Sequence, residues 1–183
     1  MKAILLILLL AAYQFRTHAQ STDSTINGFG FALSSDYNNQ LTAIEMAPTV
    51  LYYQGNSQFE LGAGFNAFGL KDQRILGGRF NYKYFPNGRE TKYNMYFMLS
   101  CNYTNQLKKT FYPSTYQYLI LGGGYGFQVR IVDGLNLGTN LNLGTFTKSL
   151  QSENPYLEQL GGPNMFDNLG MYLNFQVSLG YRF

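Results

Sequence analysis

Residues 168–183 read NLGMYLNFQVSLGYRF. Leu169, Met171, Leu173, Phe175, Val177, Leu179, Tyr181 and Phe183 occupy the odd positions, and Asn168, Gly170, Tyr172, Asn174, Gln176, Ser178, Gly180 and Arg182 the even ones. Successive side chains of an extended strand point to opposite faces, so this period of two builds one wholly apolar face and one dominated by amides, glycine and hydroxyls. The run is well over twice the usual strand length of about 5–6 residues.

The same alternation recurs upstream. In 135–147, Leu135, Leu137, Leu141 and Leu143 oppose Asn136, Gly138, Asn140, Asn142 and Gly144. In 118–130, Leu119, Leu121, Tyr125, Phe127 and Val129 oppose Gly122, Gly124, Gly126, Gln128 and Arg130. Tyr93, Met95, Phe97, Leu99, Cys101 and Tyr103 form the apolar set of 93–104, and Phe80, Tyr82 and Tyr84 that of 76–85, away from Arg79, Asn81 and Lys83. In 58–68, Phe59, Leu61, Ala63 and Phe65 face away from Glu60, Gly62, Gly64 and Asn66; in 42–53, Ile44, Met46, Val50 and Tyr52 face away from Glu45 and Thr49. Phe29, Phe31 and Leu33 begin the series, which predicts eight strands.

The connections alternate in length. Gln54–Ser57, Pro86–Lys92 and the turn around Ile131–Gly134 are short, whereas 105–117 and 148–167 are long. Transmembrane barrels have short periplasmic turns and longer outer loops. This places both termini at the periplasmic end and the outer loops at 34–41, 69–75, 105–117 and 148–167. The expected fold is an all-β, eight-stranded antiparallel up-and-down transmembrane barrel.

Before the first strand, Lys2 precedes the apolar run Ile4–Ala12, and Thr17-His18-Ala19 supplies a small-residue cleavage site. A basic start, a short apolar core and such an end describe a secretory signal peptide, expected at 1–19, with the barrel at 20–183. The run is about half the length of a membrane-spanning helix. No cysteine lies near the cleavage point, against a lipoprotein signal. Removal of 1–19 leaves 164 residues (183 − 19), about 20 for each of eight strands with its connector. It also removes Lys2, Arg16 and the only histidine, His18, leaving 11 basic and 10 acidic residues. The overall charge of +3 is thus mostly a property of the leader, and no nucleic-acid partner is expected. The single cysteine, Cys101, excludes an internal disulfide and any cysteine-based metal site.

A soluble barrel with the same alternation would turn its apolar faces inward and show water a face rich in lysine and glutamate. Here charged residues are 13% of the chain, against roughly 25% in soluble domains, and the non-apolar faces carry Gly, Asn, Ser and Gln. That composition fits a narrow lumen, and the apolar faces fit lipid. The chain lacks tryptophan, so tyrosine and phenylalanine are expected to form the interface girdles. Tyr52, Tyr53, Tyr82, Tyr84, Phe85, Tyr93, Phe127 and Tyr181 fall near the periplasmic ends, and Tyr37, Tyr103 and Tyr118 near the outer ends.

With these features residues 25–183 resemble the small eight-stranded outer-membrane barrels of Gram-negative envelopes, the OmpA/OmpX-like group. The most specific element is the last strand, which in that group acts as an assembly signal. Gln176, Tyr181 and Phe183 match it, while Ser178 stands at its glycine position and Gly180 follows two residues later. The resemblance implies an outer-membrane location, monomeric state, contact with outer-membrane lipid and lipopolysaccharide, and recognition by the barrel assembly machinery. It names an architecture and leaves activity open.

Lipid- and peptide-modifying barrels generally rely on a catalytic histidine, and the exported chain has none, so no enzyme, catalytic residue, metal or cofactor is expected. The inward charges are expected to pair, because an uncompensated buried charge is strongly destabilising. Glu45 and Arg79 lie toward the outer end and are expected in contact; Glu60, Lys83, Arg130 and Arg182 lie toward the periplasmic end, with a lower cluster expected around Glu60. An eight-stranded barrel is only just wide enough to be filled by side chains. The expected role is therefore structural or surface contact through the outer loops, with a narrow pore or lateral route for small, hydrophobic molecules as the alternative. Gly122–Gly126 reads as strand glycine rather than a phosphate loop, since no helix follows. Asn102-Tyr103-Thr104 lies within a strand and carries no weight as a glycosylation site. Loop 148–167 carries Leu150, Tyr156, Leu157, Leu160, Met165 and Phe166, expected to pack over the mouth or to form a short helix along Pro155–Leu160, or else to meet a partner. Lys108, Lys109 and Lys148 are candidates for lipopolysaccharide phosphates.

Overall fold

The structure is a computed structural model that describes residues 27–39, 41, 44–68, 72–89, 91–109, 111, 113–152 and 169–183. The expected signal peptide and the expected helix at Pro155–Leu160 lie outside the described residues. Eight strands, β1 (Gly28–Asn38), β2 (Ile44–Gln54), β3 (Ser57–Phe68), β4 (Gln73–Tyr84), β5 (Tyr93–Lys108), β6 (Ser114–Val132), β7 (Leu135–Ser152) and β8 (Leu169–Arg182), pair in chain order. All pairs are antiparallel, and β8 closes on β1. Followed across the ladder, Gly28 leads through Tyr53, Gln58, Lys83, Met98, Gly124, Asn142 and Asn174 back to Asn38. The circuit returns ten residues further along β1 (38 − 28), the stagger that tilts the strands of a closed barrel.

The end at which β1 begins and β8 finishes is turned by short hairpins. Asp133-Gly134 joins β6 to β7 with Gly134 at φ 84°, and Gly55-Asn56 joins β2 to β3 with Gly55 at φ 53°. Two-residue hairpins need this left-handed backbone to match strand twist, and glycine adopts it without a Cβ penalty.

The opposite, loop end corrects the expected loop bounds. Residues 34–38 belong to β1, 73–75 to β4, 105–108 to β5, 114–117 to β6 and 148–152 to β7. The apolar alternation stops there because Thr115, Gln117, Thr145 and Ser149 replace leucine on the outer face. Pairing continues, Gln117 with Ser149 and Ser114 with Ser152, because the ladder uses only backbone groups.

The apolar faces point outward. Leu61 is 66% exposed, Leu99 63% and Met171 77%, and among the described strand residues the one charge on this face is Arg74, near the loop end of β4. At the turn end, Phe29, Tyr52, Phe59 and Tyr82 form a ladder of rings across four strands, with centroids 5.1, 6.3 and 5.3 Å apart. Tyr93 and Phe127 extend the band at 6.0 Å. Tyr53, Phe85 and Tyr118, expected in the girdles, are instead buried in the lumen. Tyr52 and Tyr53 are consecutive in one strand, so only one of them can face out.

Candidate functional site

Between a cavity at the turn end and an apolar cluster below the loop end, the lumen holds polar layers built by parity. Asp36 of β1, Glu45 of β2 and Arg79 of β4 share the inward face. Arg79 Nη2 meets Glu45 Oε1 at 2.6 Å, and Arg79 Nη1 donates to Asp36 Oδ2 and, at 3.0 Å, to Ser34 Oγ. Asn174 of β8 donates to the other Asp36 oxygen at 3.2 Å. One guanidinium thus ties three strands together, two of which do not neighbour its own.

A second layer centres on Glu60. Lys83 Nζ lies 2.6 Å from Glu60 Oε1, Gln58 Nε2 donates to the same oxygen at 2.6 Å, and Asn81 Nδ2 donates to Glu60 Oε2 at 3.0 Å. The Lys83 ammonium also sits 4.8 Å from the centroid of the Tyr96 ring. An amide network crosses the far wall: Asn140 donates to Gln176 and to Tyr96 Oη, and Asn142 donates to Asn140 at 2.8 Å. Ser100 Oγ and Tyr172 Oη are 3.2 Å apart. Gly122 and Gly126 leave the space that the Tyr172 and Tyr96 rings occupy; a Cβ on Gly126 would stand 2.3 Å from the Tyr96 ring.

Apolar clusters flank these layers. Leu41, Ile75, Tyr118, Ile120 and Tyr172 are buried together below the loop end, with Tyr116 and Phe146 packed against them. Toward the turn end, Phe85, Tyr96 and Met98 form a second cluster. Lys108 and Lys148 stand over the Tyr116 ring at 4.9 and 5.3 Å.

Arg130 and Arg182 stand toward the turn end. They line the turn-end mouth, around a cavity of about 250 Å³ shared with Tyr53, Arg89 and Asp133. Gln176 of the expected assembly signal faces the lumen, whereas the rings of Tyr181 and Phe183 pack edge to face at 5.5 Å, with Phe183 donating its N–H to the Phe29 carbonyl at 3.1 Å.

Three features escape the sequence reading. Asp36 lies in the stretch assigned to the first outer loop, although Ser34, Asp36 and Asn38 already continue the inward parity of β1. Arg89 lies in a turn. The loop-end apolar cluster is assembled from inward tyrosines and aliphatics that hydropathy cannot tell from lipid-facing ones. Among the described residues no three His, Cys, Asp or Glu side chains gather as a metal site.

No family model matches the chain, and no curated protein matches it. Solved structures do. The N-terminal β-barrel domain of Pseudomonas aeruginosa OprF superimposes with a TM-score of 0.63 at 9% identity, over 87% of this chain and 99% of that one. A major outer membrane protein from Thermus thermophilus gives 0.54 at 15% identity, over 86% and 100%. Neisserial surface protein A gives 0.51 at 10% identity, over 90% and 100%. The fold is therefore the closed eight-stranded barrel of these proteins.

Proposed function

We propose that the chain is an integral outer-membrane barrel without enzymatic activity, a wall protein whose contacts are made at its loop end. The observation that carries this reading is the lumen. Its carboxylates Asp36, Glu45 and Glu60 are each held by a cation, its amides bond to one another, and an apolar cluster closes the loop end. An interior occupied by bonded polar layers and an apolar cluster supports a barrel closed by its own side chains. The uncharged outer face and the ring band at the turn end support immersion in lipid with the turns toward the periplasm. A closed ladder leaves no edge strand, which supports a monomer. Lys108 and Lys148 offer two cations to anionic lipopolysaccharide, and the β8 residues Gln176, Tyr181 and Phe183 fit a signal read by the assembly machinery.

Planar-bilayer recording of the purified barrel tests this reading. The expected result is no reproducible unit conductance, and regular open channels would overturn it.

A second reading, a lateral route for small hydrophobic molecules, draws on one feature of the wall. Met46 pairs with Phe65 and Thr49 with Gly62, but between them the β2–β3 pairing lapses at Ala47 and Pro48. Proline has no N–H to give to the ladder, and a barrel has no edge on which to hide one.

A further inference from the structure

We propose that the Asp36–Glu45–Arg79 layer of the lumen binds one monovalent metal cation of the sodium type, held beside the two carboxylates by the side-chain oxygens of Asn102 and Asn174. Charge is the first observation. The layer sets two carboxylates against a single guanidinium, whereas in the next layer Glu60 is balanced by Lys83. Among the described residues no other cation pairs with Asp36 or Glu45, and both are less than a tenth exposed. The two stand directly opposite each other across the β1–β2 ladder, where like charges are destabilising. One negative charge is left over in a buried layer, and a buried charge without its counter-charge is costly.

Orphaned oxygens are the second, independent observation. Asn174 is only 6% exposed, and its Nδ2 donates to Asp36 Oδ1 at 3.2 Å, but its Oδ1 has no donor among the described residues. Asn102 Oδ1 is buried and equally without a donor among them. Buried polar atoms in folded proteins are nearly always satisfied, so two orphaned acceptors in one place point to a ligand that meets both. Both asparagines line a cavity of about 20 Å³ together with Asp36, Glu45, Arg79 and Thr104. Two amide oxygens and two carboxylates around one space form the all-oxygen donor set that hard metal cations take. The strands make room for it: a Cβ on Gly64 would collide with Glu45 Oε1.

Size and charge narrow the ligand. A cavity holds a single water once it reaches about 10–15 Å³, so this one suits one bare ion or one water rather than a hydrated ion. The layer is short of one positive charge, so a divalent ion would overshoot it, and among the described residues no third carboxylate joins the set. A water would serve the two amide oxygens and the orphaned Arg79 Nε–H, but would leave the charge unbalanced. A proton on a carboxylate would balance the charge but respond to pH rather than to sodium. The experiment separates ion, water and proton.

The full barrel in uncharged detergent micelles is unfolded in urea, followed by circular dichroism, while sodium chloride replaces N-methylglucamine chloride at constant ionic strength. A ligand that binds only the folded state raises its stability as its concentration rises past the dissociation constant. The expected result is a urea midpoint that rises with sodium, together with saturable broadening of the sodium magnetic resonance by the folded barrel. Both responses are lost in Glu45→Gln, which leaves Arg79 and Asp36 as a balanced pair. Asn102→Leu, a second variant that keeps every charge, is expected to weaken sodium binding about tenfold. A folded wild type indifferent to sodium, or a sodium response that survives in Glu45→Gln, would overturn the proposal. If Glu45→Gln yields no barrel, Asn102→Leu decides, and sodium binding unchanged in it has the same force. A midpoint that follows pH but not sodium assigns the missing charge to a proton and likewise rejects the ion. Because the readout is stability and sodium binding, its failure leaves the conductance test of the closed barrel untouched.

Discussion

Arg79 makes bonds to two carboxylates on strands that its own strand never touches, and all three side chains are less than a tenth exposed. Removing one partner of such a group leaves uncompensated charge, which typically destabilises by about 3–5 kcal/mol, whereas replacing the whole set by neutral groups of similar shape is often near neutral. Arg79→Met is therefore expected to lower stability by about 3–5 kcal/mol. Adding Asp36→Asn and Glu45→Gln in the same chain is expected to recover most of that loss. Urea unfolding in micelles followed by circular dichroism measures both, since the chain has no tryptophan to report by fluorescence. An equal loss in the single and triple variants would show that packing rather than charge dominates. The Glu45–Arg79 half of this group is legible from parity alone. Asp36 is not, because the apolar partners that mark a strand thin out above Leu33, where Ser35 takes the outward position.

Among the strands, β2 is the anomalous element. The Pro48 carbonyl points at β3, 2.9 Å from where a Gly62 Cβ would stand. In an antiparallel pair, N–H and C=O of one residue point to the same neighbour, so the donor missing at Pro48 is missing from the β2–β3 ladder. Pro48→Thr restores it and is expected to stabilise the barrel by about 1 kcal/mol, the net worth of one hydrogen bond. Amide exchange along Ala47–Thr49 should slow with it. Unchanged exchange and stability would show that the seam is already tight. That proline lies in a strand is plain from the alternation around it; the lapse in pairing emerges only once β3 is in register beside it.

At the scale of the whole molecule, the outer face is a belt of leucine, phenylalanine, methionine and tyrosine interrupted, among the described strand residues, by a single arginine near one rim. Exposed apolar patches on soluble monomers rarely exceed a few hundred Å². The chain from residue 20 onward, diluted from urea, is expected to form the barrel in micelles or lipid vesicles and to aggregate in buffer. Heat-modifiable gel mobility and circular dichroism distinguish the two, and a monodisperse folded barrel in plain buffer would refute lipid immersion. Strand number, parity and the inward or outward fate of almost every strand residue were determined by sequence, because a strand's side chains alternate whatever lies beside it. Closure, stagger and depth were decided by tertiary structure. They depend on how eight strands are registered against one another, and that register brings Asp36 to Arg79 and gathers three arginines at one mouth.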